Sequence, residues 1–136
     1  MPDINHNVVI RTTPGNIYTA ITTTEGLSNW FAKATVAKPE IGYVNVFVFG
    51  PYRNEMKITE LVLDKKIAWH CINSVRDWID TKISFELEEK AEKTLLRFTH
   101  SGWKEMNDSF AGCCYDWATF LRSLKLYCET GTGSPA

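Results

Sequence analysis

Residues 108–129 read DSFAGCCYDWATFLRSLKLYCE, and the spacing of their apolar side chains decides the fold. Apolar residues recur at intervals of three, four and seven positions, which predicts one long amphipathic helix. Asp116 and Arg122 fall mainly on the polar side, and Gly131 stands where a left-handed residue commonly ends a helix. A stripe this wide is normally buried, so we expect a sheet beneath the helix. The stripe consists of Phe110, Cys113, Cys114, Trp117, Leu121, Leu124 and Cys128.

The middle of the chain supplies the strands of that sheet. Segment 80–88 alternates cleanly between apolar and polar residues, so one of its faces is exposed to water. In segment 55–63 the step Glu60-Leu61 breaks the alternation and suggests a bulge. Turn residues such as Gly50-Pro51 separate the apolar segments. We predict a meander of antiparallel strands at 43–49, 55–63, 66–72, 80–88 and 94–101.

The first thirty residues predict a strand and two short helices. Segment 4–12 is a plausible first strand, and Thr13-Pro14-Gly15 then places a hydroxyl at a capping position with proline just inside the helix. Thr24-Glu25-Gly26 ends that helix and begins a second one, which carries Trp30 and Phe31. The chain of 136 residues has the length of one domain, so we expect 1–136 to form a single α+β unit.

Charge and hydropathy exclude several classes of partner. The 15 Lys+Arg and 16 Asp+Glu residues nearly cancel, whereas proteins that bind nucleic acids usually carry a basic stripe. No apolar run approaches the roughly 18 residues of a membrane helix. The start of the chain, 1–7, lacks the basic and apolar parts of a secretory signal. We therefore expect a cytoplasmic protein with no nucleic-acid partner and no membrane insertion.

The cysteines and histidines do not predict a metal site. Cys71, Cys113, Cys114 and Cys128 include no C-x-x-C pair, and the three histidines are widely separated. We expect reduced thiols that act as small buried hydrophobes, and neither a metal nor a cofactor. Gly131–Ser134 follows a helix instead of preceding one, so it is expected to be a loose tail and not a phosphate loop.

Several motifs resemble a known group of proteins. Segments 17–21, 24–27 and 30–31 resemble the opening of the START-like (SRPBCC) superfamily. Within it, segment 96–103 (LRFTHSGW), together with Trp69-His70-Cys71, Trp78 and the residues from Trp117 to Pro135, is similar to a bacterial branch related to the activator of heat-shock-protein-90 ATPase. The resemblance spans about 14–135. It implies the helix-grip (Bet v 1-like) fold, in which a curved antiparallel sheet wraps around a long C-terminal helix.

The resemblance also implies a cavity between the sheet and the helix. Such a cavity would be lined by large apolar residues with a few polar groups, as small-ligand sites usually are. The same aromatic residues would also be able to close the core completely, and the sequence leaves both alternatives open. The predicted lining residues are Phe47, Phe49, Met56, Trp69, Phe85, Phe98, Trp117 and Leu121.

Two polar residues stand out near this predicted cavity. His100 shares a strand face with Leu96 and Phe98, so it is expected to point inward. It is either a hydrogen-bonding or acid/base group for a ligand, or a buried neutral histidine satisfied by a hydroxyl, an indole or a carbonyl. Arg53 follows the turn at Gly50-Pro51 and would be an anion clamp for a carboxylated ligand at the cavity mouth.

Three functions are compatible with these features. We favour the binding of an apolar or amphipathic small molecule that is lipid-like, polyketide-like or aromatic. An enzyme of cyclase, dehydratase or hydrolase type would use the same cavity with His100 as acid/base, but no second catalytic group is identifiable. A co-chaperone role is less favoured, because the chain is too short for the separate N-terminal domain of the eukaryotic activators. A homodimer is conceivable if an exposed strand such as 43–49 pairs across it.

Overall fold

The computed structural model describes residues 2–136 and contains one seven-stranded antiparallel sheet with three α-helices. The strands lie in the order β1-β7-β6-β5-β4-β3-β2, so the first strand closes onto the last. The predicted helix-grip fold is confirmed. The elements are β1 (Ile4–Ile10), α1 (Pro14–Thr22), α2 (Thr24–Trp30), β2 (Ala34–Val36), β3 (Val44–Phe49), β4 (Tyr52–Val62), β5 (Lys66–Asn73), a 3-10 turn (Arg76–Trp78), β6 (Lys82–Lys90), β7 (Lys93–Ser101) and α3 (Asp108–Thr130).

Side-chain caps define the helix boundaries. The Thr13 hydroxyl accepts the Asn16 N–H at 3.2 Å and begins α1, and the Thr23 hydroxyl accepts the Gly26 N–H at 3.0 Å and begins α2. At Gly26 an added Cβ would lie 2.6 Å from the Cα of Ala20, so only glycine allows the two helices to approach this closely. The capping position predicted for α1 is confirmed.

The long helix also agrees with the sequence. α3 ends at Gly131, which has φ of 88° and donates its N–H to Tyr127 at 2.8 Å. Its start at Asp108 agrees with the predicted segment 108–129, whereas its cap was not predicted: the Asn107 side chain accepts the Phe110 N–H at 2.9 Å. No helix within residues 2–136 combines the length and the apolarity needed to cross a membrane.

The predicted irregularity of β4 is a β-bulge. Ile58 pairs with Trp69 and Glu60 pairs with Ala68, so Thr59 is one residue in excess of the partner strand. The bulge lies immediately before the Glu60-Leu61 step that suggested it. Bulges of this kind bend a strand, which suits a sheet that wraps around a helix.

Two parts of the chain differ from the prediction. The short strand β2 was missed, because three residues give no measurable alternation. The segment after α3 was expected to be loose, and that expectation is wrong. Ser134 donates its N–H to the Ser123 hydroxyl at 2.7 Å, Ala136 donates to the carbonyl of Phe31 at 2.9 Å, and Lys33 donates to the carbonyl of Ala136 at 3.0 Å. These bonds hold the segment against the end of α2.

Candidate functional site

An apolar pocket of about 240 Å³ opens to solvent between the first half of α3 and the strand ends that face it. We call it the α3 pocket. A larger groove of about 520 Å³ lies between α1, α2 and the end of α3, but polar side chains such as Asn16, Thr19 and Glu25 form much of its wall. Ligand sites are mostly apolar with few polar groups, so the smaller pocket is the better candidate. It is lined by Phe31, Phe49, Tyr52, Asn54, Ser74, Val75, Trp78, Cys113, Asp116, Trp117 and Phe120.

Aromatic rings that pack on one another form most of this wall. The Trp117 indole stacks on Phe31 with ring centroids 5.5 Å apart, and on Trp78 at 5.9 Å. Phe120 and Phe49 each meet Phe31 edge-on, at 4.9 Å and 5.1 Å. Because each ring is held by its neighbours, the wall keeps its shape without a ligand.

The centre of the sheet is filled, and the α3 pocket opens at one side of this filled core. Trp69 packs against Phe47 and Phe85 with centroids 5.4 Å and 5.1 Å away. Of the predicted lining residues, Phe49 and Trp117 border the α3 pocket. The others lie behind it as fully buried core side chains, namely Phe47, Met56, Trp69, Phe85, Phe98 and Leu121. Both alternatives left open by the sequence therefore describe part of the molecule.

Arg53 lies outside the pocket lining. Its side chain is 60% exposed, and its Nε lies 3.5 Å from a carboxylate oxygen of Glu55 on the same strand. The guanidinium is therefore directed along the sheet surface. Any contact with a ligand would require a part of that ligand to project beyond Tyr52.

Several lining residues were missed by the sequence reasoning. Cys113, Asp116 and Phe120 share one face of α3 with the predicted residue Trp117, since the four are spaced at three, four and seven positions. That spacing was available in the sequence, but Asp116 was placed on the polar side of the helix because it is charged. The other missed residues come from separate loops and strand ends, which local patterns do not connect. They are Phe31, Tyr52, Asn54, Ser74 and Val75.

His100 is buried and hydrogen-bonded on both ring nitrogens. The Nε1–H of Trp117 donates to its Nδ1 at 3.1 Å, so the proton of a neutral ring is on Nε2. Nε2 lies 2.8 Å from the Thr81 hydroxyl, which donates in turn to the carbonyl of Trp78 at 2.5 Å. Burial lowers the pKa of His100 to about 3, so the ring is neutral at physiological pH.

This network gives His100 a positioning role. Of the two alternatives, the structure matches the buried neutral histidine satisfied by a hydroxyl and an indole. His100 fixes Trp117 directly and Trp78 through Thr81, and these are the two stacked indoles of the pocket wall. It has no free nitrogen left for a ligand.

Comparisons with known proteins identify the family. Residues 11–129 match the model of the family described as Activator of Hsp90 ATPase homolog 1-like protein. The chain belongs to this family. It is 38% identical to Aha1 from Colwellia psychrerythraea, whose solution structure is that of a dimer. That similarity covers 98% of this chain and 100% of the relative, with a TM-score of 0.91.

More distant structures share the fold of this Activator of Hsp90 ATPase homolog 1-like chain. Protein SSP2350 from Staphylococcus saprophyticus is 18% identical with a TM-score of 0.82, and the match covers 99% of this chain and 98% of that protein. Protein MLL2253 from Mesorhizobium loti is 16% identical with a TM-score of 0.81, covering 91% and 94%. Among curated proteins no sequence matches the chain.

The cysteines of this family member are free thiols. Burial raises the pKa of Cys71 to about 11 and that of Cys128 to about 12. Cys113, in the pocket wall, accepts the indole N–H of Trp78 at 3.0 Å, and burial raises its pKa too. These thiols stay protonated at neutral pH and are poor nucleophiles. Within residues 2–136, histidine, cysteine and carboxylate side chains do not gather in threes around a metal-sized site.

Proposed function

We propose that this protein binds a small apolar or amphipathic molecule, lipid-like, polyketide-like or aromatic, in the α3 pocket. The observation that carries the proposal is a rigid aromatic wall around an open volume at the surface. Sites for drug-sized ligands measure about 300–1,000 Å³. A volume of about 240 Å³ suits one ring system or one end of a longer amphiphile.

Apolar contact would supply most of the affinity. Each Å² of apolar surface removed from water contributes roughly 25 cal/mol. Phe49 and Trp117 would touch the ligand, and the buried residues behind them would hold their rings in place. Specificity would come from the side chains of Asn54 and Ser74, which bond to each other and line one side of the pocket. Arg53 would serve only a ligand that extends past the mouth.

The other two functions have weaker support. Catalysis by His100 as acid/base would need a ring nitrogen directed at the substrate, and both nitrogens are engaged within the protein. The co-chaperone role has the family description as its support.

The substitution Val75→Trp is expected to abolish ligand binding. Val75 is 39% exposed at the pocket rim, so an indole there covers the mouth without disturbing the core. Native mass spectrometry of gently purified wild-type protein should show an extra few hundred daltons, about one amphiphile, that leaves on denaturation. We expect the Val75→Trp protein to lack that adduct.

A matched control is Val62→Trp, at an exposed position outside the lining, which should keep the adduct. Val75→Trp protein that carries the adduct at the wild-type level would contradict the proposed site. If the wild type shows neither an adduct nor a thermal shift with lipids, polyketides and aromatic acids, the function itself is wrong.

We also propose that the protein forms a homodimer. The support is the solution structure of the 38% identical Aha1 from Colwellia psychrerythraea, which is a dimer. The suggestion that strand 43–49 pairs across a dimer is wrong, because β2 and β4 occupy both edges of β3. The free edge on that side is β2, where Val36 is 57% exposed.

Sedimentation velocity is expected to give twice the chain mass of 15.5 kDa. Val36→Lys should shift the protein toward monomer if β2 is the contact, since lysine on an edge strand opposes pairing. A single-chain mass at every protein concentration would refute the dimer.

A further inference from the structure

The α3 pocket contains one kind of charge. Within residues 2–136, Asp116 is the only charged side chain in its lining. The side chain is exposed, and no described lysine or arginine forms an ion pair with it. A carboxylate at an apolar site favours a ligand of the opposite charge.

The aromatic wall has the same preference. The face of an aromatic ring carries negative charge density, so a cation placed over it is attracted. Trp117 is 1% exposed and stacked between Phe31 and Trp78, so the rings that a cation can reach are those of Trp78, Phe120 and Tyr52. Tryptophan is the strongest of these rings toward a cation. The aromatic wall and the Asp116 carboxylate therefore both favour a positively charged ligand.

Two basic residues are sequence neighbours of lining residues, and neither forms part of the α3 pocket lining. Arg53 pairs with Glu55, and Arg76 lines a different pocket beside Trp103. The state of Cys113 is consistent with a negative field. Its pKa is raised first by burial, is lowered by the hydrogen bond from Trp78, and is raised further by the carboxylates of Asp116 and Asp77.

We propose that the α3 pocket selects an organic cation, a protonated or quaternary amine carried on a small apolar group, with the ammonium at Asp116 and the apolar group against the aromatic wall. This inference rests on the proposed ligand-binding function and names its ligand class. It replaces the carboxylated ligand for which Arg53 was considered.

Three compounds of similar shape and different charge test this selection on the full chain. They are benzyltrimethylammonium, its uncharged carbon isostere neopentylbenzene, and the anion phenylacetate. Quenching of tryptophan fluorescence measures each affinity, and Val75→Arg, which places a positive charge at the pocket rim without adding an indole, reports whether the cation binds in the pocket. We expect the cation to bind about tenfold more tightly than the isostere, and the anion to bind most weakly.

The substitution Asp116→Asn isolates the contribution of the carboxylate. It is expected to weaken binding of the cation about fivefold and to leave the isostere unchanged, because an exposed ion pair contributes modestly. Asp108→Asn is the control, since Asp108 is exposed on the same helix and outside the lining. Added salt should weaken cation binding in the wild type more than in Asp116→Asn.

The outcomes separate the two levels of the proposal. Tighter or equal binding of the isostere or the anion would overturn the cation preference and leave the ligand pocket intact. Cation binding that Val75→Arg does not reduce would place the cation elsewhere and also overturn the inference. If the cation and the anion do not bind at millimolar concentration, and the isostere does not bind near its solubility limit, both the preference and the proposed function fail.

Discussion

Lowering the pH from 7 to 5 is expected to remove about 2 kcal/mol from the free energy of unfolding, because His100 is buried in its neutral form. In the unfolded chain this histidine binds a proton near pH 6.5, and in the folded protein only near pH 3. The unfolded state therefore gains a proton first as the pH falls. The loss begins near pH 6.5 and ends near pH 3.

Urea unfolding at pH 7 and pH 5 measures this effect. His100→Gln keeps a donor for Thr81 and does not titrate, so its stability should depend less on pH than that of the wild type. At pH 7 we expect it to be less stable by about 1–3 kcal/mol, because the buried Trp117 N–H loses its acceptor. Hydrogen bonds lower the pKa values of Glu88 and Glu129, so the stability that these carboxylates contribute is lost only at lower pH. Measurements above pH 4.5 therefore report mainly on His100.

His70→Gln is the matched control for this experiment. His70 is partly exposed and lies 3.3 Å from a carboxylate oxygen of Asp80. Its replacement should keep most of the pH dependence. A His100→Gln protein with the full wild-type dependence would show that another group is responsible.

Replacing Phe31 by alanine is expected to cost about 3–5 kcal/mol of stability. Phe31 is 1% exposed and follows α2, at the point where the aromatic core meets the pocket wall. Removing the ring leaves a cavity and deprives its neighbours of contacts. Rings within 6.4 Å of it are those of Trp30, Phe47, Phe49, Trp69, Trp117 and Phe120.

Urea unfolding of Phe31→Ala beside Phe31→Leu measures this cost. The leucine variant fills most of the volume and should lose less than half as much. Benzene should raise the midpoint of Phe31→Ala more than that of the wild type, because the lost ring leaves an additional apolar cavity of its own size. A loss below about 1 kcal/mol in the alanine variant would contradict the central role of this ring.

Local periodicity was sufficient to predict the main elements. The α3 stripe and the alternation of β6 each depend on residues close in the sequence, so they are visible without the fold. The inward direction of His100 followed from the same alternation with Phe98. Its partners, Thr81 and Trp117, belong to other elements, and no local pattern links them to it.

The position of the pocket opening could not be predicted from the sequence, for a physical reason. Phe47 and Phe49 are two positions apart on β3, yet Phe47 is in the filled core and Phe49 borders the pocket. Which of them borders an opening depends on how closely the rings of distant segments pack against each. Asp116 was misplaced for a related reason, because a charged residue on a helix indicates solvent and gives no sign of a nearby apolar opening.

The pairing of β1 with β7 has a consequence for the newly made chain. Ile4 lies opposite His100, so the first strand has no partner until the seventh has been synthesised. At about 5–20 residues per second, the ribosome takes about 5–20 seconds to make the intervening chain. Pairings between such distant residues also form slowly. During that delay Ile4 and Ile10, buried in the folded protein, remain without their β7 partners, and this edge of the sheet can form only after β7 has been made.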